Sequence, residues 1–433
     1  MPRWLYFLLI FTVLAPVLSF LHIPALLLFV VAGLGILPLA ALIGQSVEQV
    51  AEHTGERIGG LLFATFGNAT ELIIGIFALS AGLVDVVRAS IIGSILGNLL
   101  LVQGVAVFIG ALKHGRLRFE ARPASQYASL LALCVGGLLL PSFAELLASH
   151  EGQSQIVERG VVLSDFIAVV LLLGYVASIL FSVFRLGDRG PVNEGDEFEP
   201  LLGVRSEAAI ARLLSYRRRL AESSEPGKSG VLHQIDGTLD AIVAHEAAQH
   251  GEQSSSSAPP AAKGAQQVAK QRTEKHEPAK TNLWVAMALL AAATAGVAWL
   301  SDILVGAIEP VTEVLHWNPA FVGLVFLPLI GNVTEYFNTI AMALDKRIGM
   351  VLAASAGSSI QVALLIAPIL VLLSLLTIKR LDLVFSIVEL AVLGLATFLF
   401  SEITKDGELV WLEGLLLILL YGIMGGTVFL FGA

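Results

Sequence analysis

Residues 67–71 read GNATE and residues 331–335 read GNVTE. Each stretch places a carboxylate, Glu71 or Glu335, deep inside an apolar run that is long enough to cross a membrane. An ionised glutamate at the centre of a bilayer costs about 2.5 kcal/mol or more, so it is rarely found there without a partner, a pathway or a proton. Two glutamates in matching contexts therefore predict one shared cation site.

The two halves of the chain are predicted to be copies of one unit. The offset of 264 positions that superposes Glu71 on Glu335 also superposes Gly93-Ser94 on Gly357-Ser358. Chance agreement in one pentapeptide would not give this second match. Internal similarity of this kind is typical of transporters that are built from structural repeats.

Composition places the chain in a membrane. Of its 433 residues, 56% are hydrophobic and only 14% are charged, which leaves too little polar surface for a soluble protein of this size. The net charge of −9 and the lack of a basic stripe argue against a nucleic-acid partner. The single cysteine, Cys134, excludes a disulfide framework and a cysteine metal site. The lipid bilayer is therefore the predicted surrounding.

The fold class predicted is all-α, a polytopic membrane protein of about eleven transmembrane helices. The first run could instead be a signal peptide, but no small-residue cleavage site follows it cleanly, which favours a retained helix. The other ten form two groups of five, and an odd number of crossings inverts the second copy relative to the first. The predicted helix cores are 4–22, 25–45, 58–82, 86–111, 126–146, 161–185, 283–303, 319–344, 348–376, 383–403 and 409–431.

This reading divides the chain into a leading helix (1–24), a first five-helix repeat (25–185), a linker (186–282) and a second five-helix repeat (283–433). The linker opens with acidic residues, contains two amphipathic stretches and ends in a polar segment that is predicted to be disordered. It is either a tether between the halves or a regulatory segment.

Basic residues in the short loops favour a cytoplasmic amino terminus and a carboxyl terminus outside the cell or in a lumen. The loops on the amino-terminal side carry Arg3, Arg57, Lys113, Arg116, Arg118, Arg122, Lys346, Arg347 and Lys405, and those on the other side carry Arg88, Arg159, Lys379 and Arg380. The short amino terminus and compact loops favour a bacterial cytoplasmic membrane, and a vacuolar membrane is the alternative.

The candidate metal ligands are oxygen-bearing side chains in and behind the two motifs. Asn68 lies three residues before Glu71, so on a helix both would project to one side, and the second copy repeats this spacing. On the helix that follows each glutamate, Ser94 and Asn98 share a face, as do Ser358 and Gln361. For the two serines, packing is the alternative reading. The predicted set is Glu71, Glu335, Asn68, Asn332, Ser94, Asn98, Ser358 and Gln361, with Glu71 and Glu335 also carrying the protons.

Carboxylate, amide and hydroxyl oxygens are the ligands that Ca²⁺ prefers, in shells of about six to eight. No nitrogen or sulfur donors stand nearby, which disfavours zinc or copper. Secondary candidates are the acids at or near the apolar runs, for which packing or solvation is the more ordinary reading. They are Asp302, Glu389, Glu48 and Glu52.

Six stretches of the sequence resemble the calcium/proton exchanger family. The resemblance rests on GGLLFATFGNATELI (59–73), GSILGNLLLV (93–102), VGAIEP (305–310), GNVTE (331–335), GSSIQVA (357–363) and WLEG (411–414). It covers nearly all of the chain outside 186–282 and implies a membrane antiporter that exchanges Ca²⁺ for H⁺, with Glu71 and Glu335 as shared binding residues. The chain departs from the family's usual pattern at Tyr336, where a histidine is common, and at Asp302, where a glutamate is common.

The predicted mechanism is competition between Ca²⁺, or another divalent cation, and protons for the two carboxylates. Desolvation disfavours the ionised carboxylate and a bound cation favours it. No cofactor is expected, because both ions are transported substrates. A sodium-coupled calcium exchanger and a cation channel with mid-membrane acids remain alternatives. The chain is not expected to be an enzyme, since no nucleophile and base can be paired.

Overall fold

The computed structural model describes residues 3–21, 23–54, 61–62, 65–150, 156–182 and 282–431. These residues fall within one compact unit. The predicted linker lies outside the described residues, except for Asn282, whose side chain caps the helix that follows it. Glycines 59 and 60 of the first motif also lie outside them.

Helices make up almost all of the described chain. A 3₁₀ turn (Arg3–Leu8) precedes the first α-helix, and two short strands, β1 (Leu117–Arg118) and β2 (Glu408–Leu409), pair antiparallel. The helices are α1 (Leu9–Phe20), α2 (Ala25–Thr54), α3 (Ala69–Ser80), α4 (Val84–His114), α5 (Ala121–His150), α6 (Ile156–Ser182), α7 (Leu283–Leu315), α8 (Pro319–Gly331), α9 (Val333–Leu344), α10 (Ile348–Leu376), α11 (Ile387–Ile403) and α12 (Trp411–Phe431).

The all-α membrane class is confirmed, and the count of eleven crossings stays a prediction. Within the described residues, seven helices are long and apolar enough to cross a membrane, or eight if α8 and α9 form one bent span. The predicted single helix over 319–344 is wrong in one respect, because the chain breaks at Asn332 and α8 meets α9 at 58°. The helices α1, α3 and α11 are shorter.

The predicted helix over 383–403 begins later than expected, at Ile387. Residues 381–386 are extended, and alternate side chains, those of Leu381, Leu383 and Phe385, are buried as in a strand. Their backbone bonds to side chains instead of to itself: the Ser142 hydroxyl accepts from the Phe385 N–H at 2.9 Å, and the Ser164 hydroxyl accepts from the Leu383 N–H at 3.1 Å. Two serines on α5 and α6 therefore hold this segment out of the helix.

The repeat predicted from the sequence recurs in the helix boundaries. Helices α3 and α9 begin and end 264 positions apart, and α4 and α10 begin 264 positions apart. Both α4 and α10 contain a turn of wider π-helix, at Gly97–Val102 and Val362–Ile366. Such turns are uncommon and are frequent at functional sites.

Contacts between the halves join matching ends of the helices. At one end, β1 pairs with β2, and the His114 imidazole lies 2.8 Å from the Leu344 carbonyl oxygen. At the other end, Arg88 pairs with Asp382 at 2.6 Å, and Arg380 with Asp165 at 2.6 Å. An eleven-crossing topology places the members of each pair on the same side of the membrane, so these contacts agree with the predicted inversion.

Glycines allow the helices around the centre to approach closely. A Cβ atom at Gly93 of α4 would collide with the backbone carbonyl oxygen of Leu324 in α8, and a Cβ at Gly323 of α8 would collide with that of Val86 in α4. Small residues are used in this way where membrane helices cross. The crossing fixes α8, and with it the start of α9, against α4.

We expect Gly93→Ala to destabilise the protein by about 1–3 kcal/mol, because the added methyl group meets backbone and not a flexible side chain. Unfolding of the purified protein in detergent measures this. The matched control is Gly136→Ala on α5, where a Cβ meets nothing within 4 Å. Equal stability of the two variants would contradict the close crossing of α4 and α8.

Candidate cation site

Each motif glutamate lies in the first turn of a helix that starts after a break. Asn68 and Asn332 occupy the N-cap positions with non-helical backbone angles (φ −105°, ψ 22° and φ −86°, ψ 17°), and Glu71 and Glu335 are the third residues of α3 and α9. The asparagine of each motif therefore precedes the helix that carries the glutamate, and the prediction that their side chains project to one side stays a prediction. The positive end of a helix dipole favours a carboxylate at this position.

The two motifs contact each other. A Cβ atom at Gly331, directly before Asn332, would lie 2.6 Å from Glu71 Cγ and 3.6 Å from Glu71 Cδ. The Glu71 carboxyl is close enough to Glu335 for their charges to interact, and Ser94 lies beside it. Glycine at position 331 thus lets the carboxylate of the first repeat reach the motif of the second.

A chain of hydrogen bonds links the break before α3 to α10 and α4. The Asn68 amide nitrogen donates to Gln361 Oε1 at 2.8 Å, and the Ser358 hydroxyl donates to Asn68 Oδ1 at 2.8 Å. The Asn98 amide nitrogen donates to Ser358 Oγ at 3.0 Å. Four of the eight predicted site residues are therefore joined directly, across segments that are far apart in sequence.

Several oxygens of the site are left for a ligand. Among the described residues, Glu71 Oε1, Asn98 Oδ1 and both amide atoms of Asn332 are buried and have no hydrogen-bond partner. A buried polar atom without a partner is rare enough to require a reason, such as a bound ion or water. Carboxylate and amide oxygens in this number suit a hard divalent cation. The described residues contain no cluster of three or more His, Cys, Asp or Glu side chains.

The site is not symmetric between the repeats. The 264-position offset places Gly97 opposite Gln361, and Asn98 opposite Val362. Asn68 is consequently bonded by Gln361, whereas Asn332 faces Gly97, where a Cβ would lie 3.3 Å from Asn332 Nδ2. One asparagine is held by protein and the other is available to a ligand.

Sequence reasoning missed Thr334. Its hydroxyl donates to Glu335 Oε2 at 3.0 Å, and its methyl group lies 3.3 Å from a Cβ placed on Gly44 of α2. The signal was present, since threonine precedes the glutamate in both motifs. Gln103 and Tyr336 were also not proposed as site residues, although both carry buried polar atoms without a partner among the described residues.

The secondary candidates lie in other environments. Glu389 is buried, but its carboxylate accepts from the Ser386 N–H at 2.8 Å in the capping box of α11. Asp302 is exposed on α7, and Glu48 and Glu52 are exposed near the end of α2. Nothing in these positions adds a ligand to the centre.

Comparison with known proteins gives consistent matches. The sodium/calcium exchanger protein family matches residues 24–184 and 285–430. The chain is 34% identical over 396 residues to the Ca²⁺/H⁺ antiporter of Synechocystis sp., covering 92% of this chain and 89% of the relative. It is 30% identical to vacuolar cation/proton exchanger 3 of Oryza sativa, covering 93% of this chain and 80% of the relative. The solved structure of native YfkE matches with a TM-score of 0.69 and 27% identity, covering 98% of this chain and 99% of that one.

We expect Gly331→Ala to lower the affinity for Ca²⁺ by about tenfold or more, equivalent to about 1.4 kcal/mol. The added methyl group would displace the Glu71 side chain from the second motif. Titration calorimetry with Ca²⁺ on the purified protein measures the effect. The control, Gly349→Ala, adds its methyl group where nothing lies within 4 Å. Unchanged affinity in Gly331→Ala would show that Glu71 does not bind from this position.

Proposed function

The chain belongs to the sodium/calcium exchanger protein family and is a multi-pass membrane transporter, and we propose that it exchanges Ca²⁺ for H⁺. The observation that carries the proposal is the contact of Glu71 with Gly331, four residues before Glu335, which supports a common site for one carboxylate from each repeat. Relatives in a bacterium and in a plant carry antiporter and cation/proton exchanger names.

Competition between the two ions follows from the surroundings of the carboxylates. Burial disfavours two adjacent bare charges, so the site is stable when it holds either a divalent cation or protons. Ca²⁺ arriving on one side releases the protons, and protons arriving on the other side release Ca²⁺. The two ligands therefore exclude each other, which is the requirement for antiport.

Alternating access is proposed to use the breaks before α3 and α9. Changing access with an empty site would carry two uncompensated charges through a dehydrated region, which is costly, whereas a loaded site carries none. Glu71 and Glu335 sit one turn after the breaks at Asn68 and Asn332. A rotation at these points would move both carboxylates together.

The remaining site residues have proposed roles that follow from their contacts. Asn98 and Asn332 supply amide oxygens. Ser94 lies beside the Glu71 carboxyl, and Ser358 holds the side chains of Asn68 and Asn98. Gln361 fixes the orientation of the Asn68 amide. Oxygen ligands alone favour Ca²⁺ over softer metals.

The host membrane is proposed to be a bacterial cytoplasmic membrane, with a vacuolar membrane as the alternative, since relatives of both kinds match. The amino terminus is proposed to face the cytoplasm, on the loop charges given above.

We expect Glu71→Gln and Glu335→Gln each to abolish Ca²⁺ uptake driven by a pH gradient in proteoliposomes, because an amide cannot exchange a proton for a cation. Uptake of ⁴⁵Ca²⁺ after an imposed pH step measures this. The matched control is Glu313→Gln, the same change at an exposed position on α7, which should retain uptake. Uptake that persists in both motif variants would defeat the proposal.

A sodium-coupled exchanger is the second candidate, because the family includes sodium/calcium exchangers by its description. Asn68 and Asn332 lie in the motifs that resemble the calcium/proton exchanger family, which favours protons over sodium as the coupling ion. We expect a sodium gradient without a pH gradient to drive no Ca²⁺ uptake, and a pH gradient without sodium to drive it. The reverse result would identify the sodium-coupled type, and uptake that only follows the Ca²⁺ gradient would identify a channel.

A further inference from the structure

Two polar side chains beside the cation site have no assigned role. Gln103 of α4 is fully buried, and neither its amide nitrogen nor its amide oxygen has a hydrogen-bond partner among the described residues. The hydroxyl of Tyr336 on α9 is also buried and has no hydrogen-bond partner among the described residues. Leaving one such group unsatisfied costs about 1–3 kcal/mol. Three atoms in this state predict partners other than the side chains that the structure describes.

The π turn in α4 aligns Gln103 with the cation site. The Gln103 N–H donates to the Asn98 carbonyl, five residues back, so the two residues lie about one turn apart along α4. Asn98 Oδ1 is itself without a partner among the described residues. The polar groups of the site therefore continue along α4 toward the His114 end.

Helix α9 runs beside α4 over this stretch. Asn332 meets Gly97 at one point, and Ala343 meets Gly110 at another, where a Cβ on the glycine would lie 2.9 Å from the alanine Cβ. Tyr336 falls between these two contacts along α9, and it is close enough to interact electrostatically with Tyr421 of α12 and with Glu335. Gln103 and Asn98 on α4 and Tyr336 on α9 thus belong to two helices that pack against each other, and Tyr336 directly follows Glu335.

The other repeat lacks these polar residues. The 264-position offset places Ala367 opposite Gln103, Val362 opposite Asn98 and Leu72 opposite Tyr336. All three polar positions beside Glu335 are apolar beside Glu71. The difference is confined to residues that do not belong to the motifs themselves.

We propose that Gln103, Tyr336 and Asn98 line a buried water-binding chamber beside Glu335 that has no counterpart beside Glu71. A buried water needs two to four polar partners, which the Gln103 amide, the Tyr336 hydroxyl and Asn98 Oδ1 supply. Its waters replace part of the hydration shell of a cation that reaches or leaves Glu335. The chamber makes Glu335 the carboxylate that exchanges ions with the aqueous phase on the side of the membrane where His114 lies. This role of Glu335 rests on the proposed function.

Hydroxyl-radical footprinting of the full-length protein in nanodiscs tests the chamber without any transport. Radicals form at bound water, so Tyr336 should be oxidised faster than Tyr175, a buried tyrosine on α6. Gln103→Leu, which keeps the volume but removes the amide, should lower the labelling of Tyr336 several-fold and leave Tyr175 unchanged. If Gln103→Leu does not fold, Gln103→Met is the substitute. Labelling of Tyr336 that is no faster than that of Tyr175, or that is unaffected by the substitution, overturns the chamber.

Transport by the same variants tests the role of the water. Gln103→Leu and Tyr336→Phe should each slow Ca²⁺ exchange several-fold, Gln103→Asn should restore part of the rate, and Tyr175→Phe, the matched control, should leave it unchanged. Wild-type rates in Gln103→Leu would overturn the hydration role. Absence of pH-driven Ca²⁺ exchange in the wild type would instead defeat the proposed function and leave the footprinting result standing.

Discussion

The structure depends on holding two carboxylates from different repeats together in a dehydrated place. Glu71 and Glu335 repel each other when both are ionised, so their proximity is stable only with a cation or protons between them. The fold supplies what partly offsets this cost. Each glutamate sits at the positive end of a helix, and Thr334 donates a hydrogen bond to Glu335. Neither contribution neutralises a full charge, and in the proposed function the transported ion provides the missing part.

Departures from regular helix serve this arrangement. The chain breaks at Asn68 and Asn332, which turns two helix ends toward one point, and glycines at 93, 323 and 331 let neighbouring segments approach closely enough for them to meet there. In a bilayer such breaks are tolerated only where protein or a polar cavity surrounds them. The site therefore provides the surroundings in which broken helices are tolerated, and the breaks in turn bring the residues of the site together.

Much of this could be predicted from the sequence. Membrane-length apolar runs gave the positions of the helices, and the 264-position offset gave the matching of the two halves. The four residues of the Asn68, Gln361, Ser358 and Asn98 hydrogen-bond chain were all among the predicted ligands. Arithmetic on regular helices failed in three places. It ran one helix through the break at Asn332, and it extended α11 through residues whose N–H groups bond to serines of α5 and α6. It also missed Gln103, which a π turn places about one turn from Asn98.

The differences between the two repeats bear on the function of the site as much as their similarity does. Duplication alone would give two equivalent glutamates, each with the same access to water and the same ligands. Gln361 bonds to Asn68, whereas Gly97 at the matching position has no side chain that could bond Asn332. Several polar residues near the site in one repeat also match apolar residues in the other. An antiporter must meet two different compartments in turn. With the proposed chamber, one flank of the site would hold water and the other would not, so side chains outside the motifs would distinguish the two sides of the membrane before any helix moves.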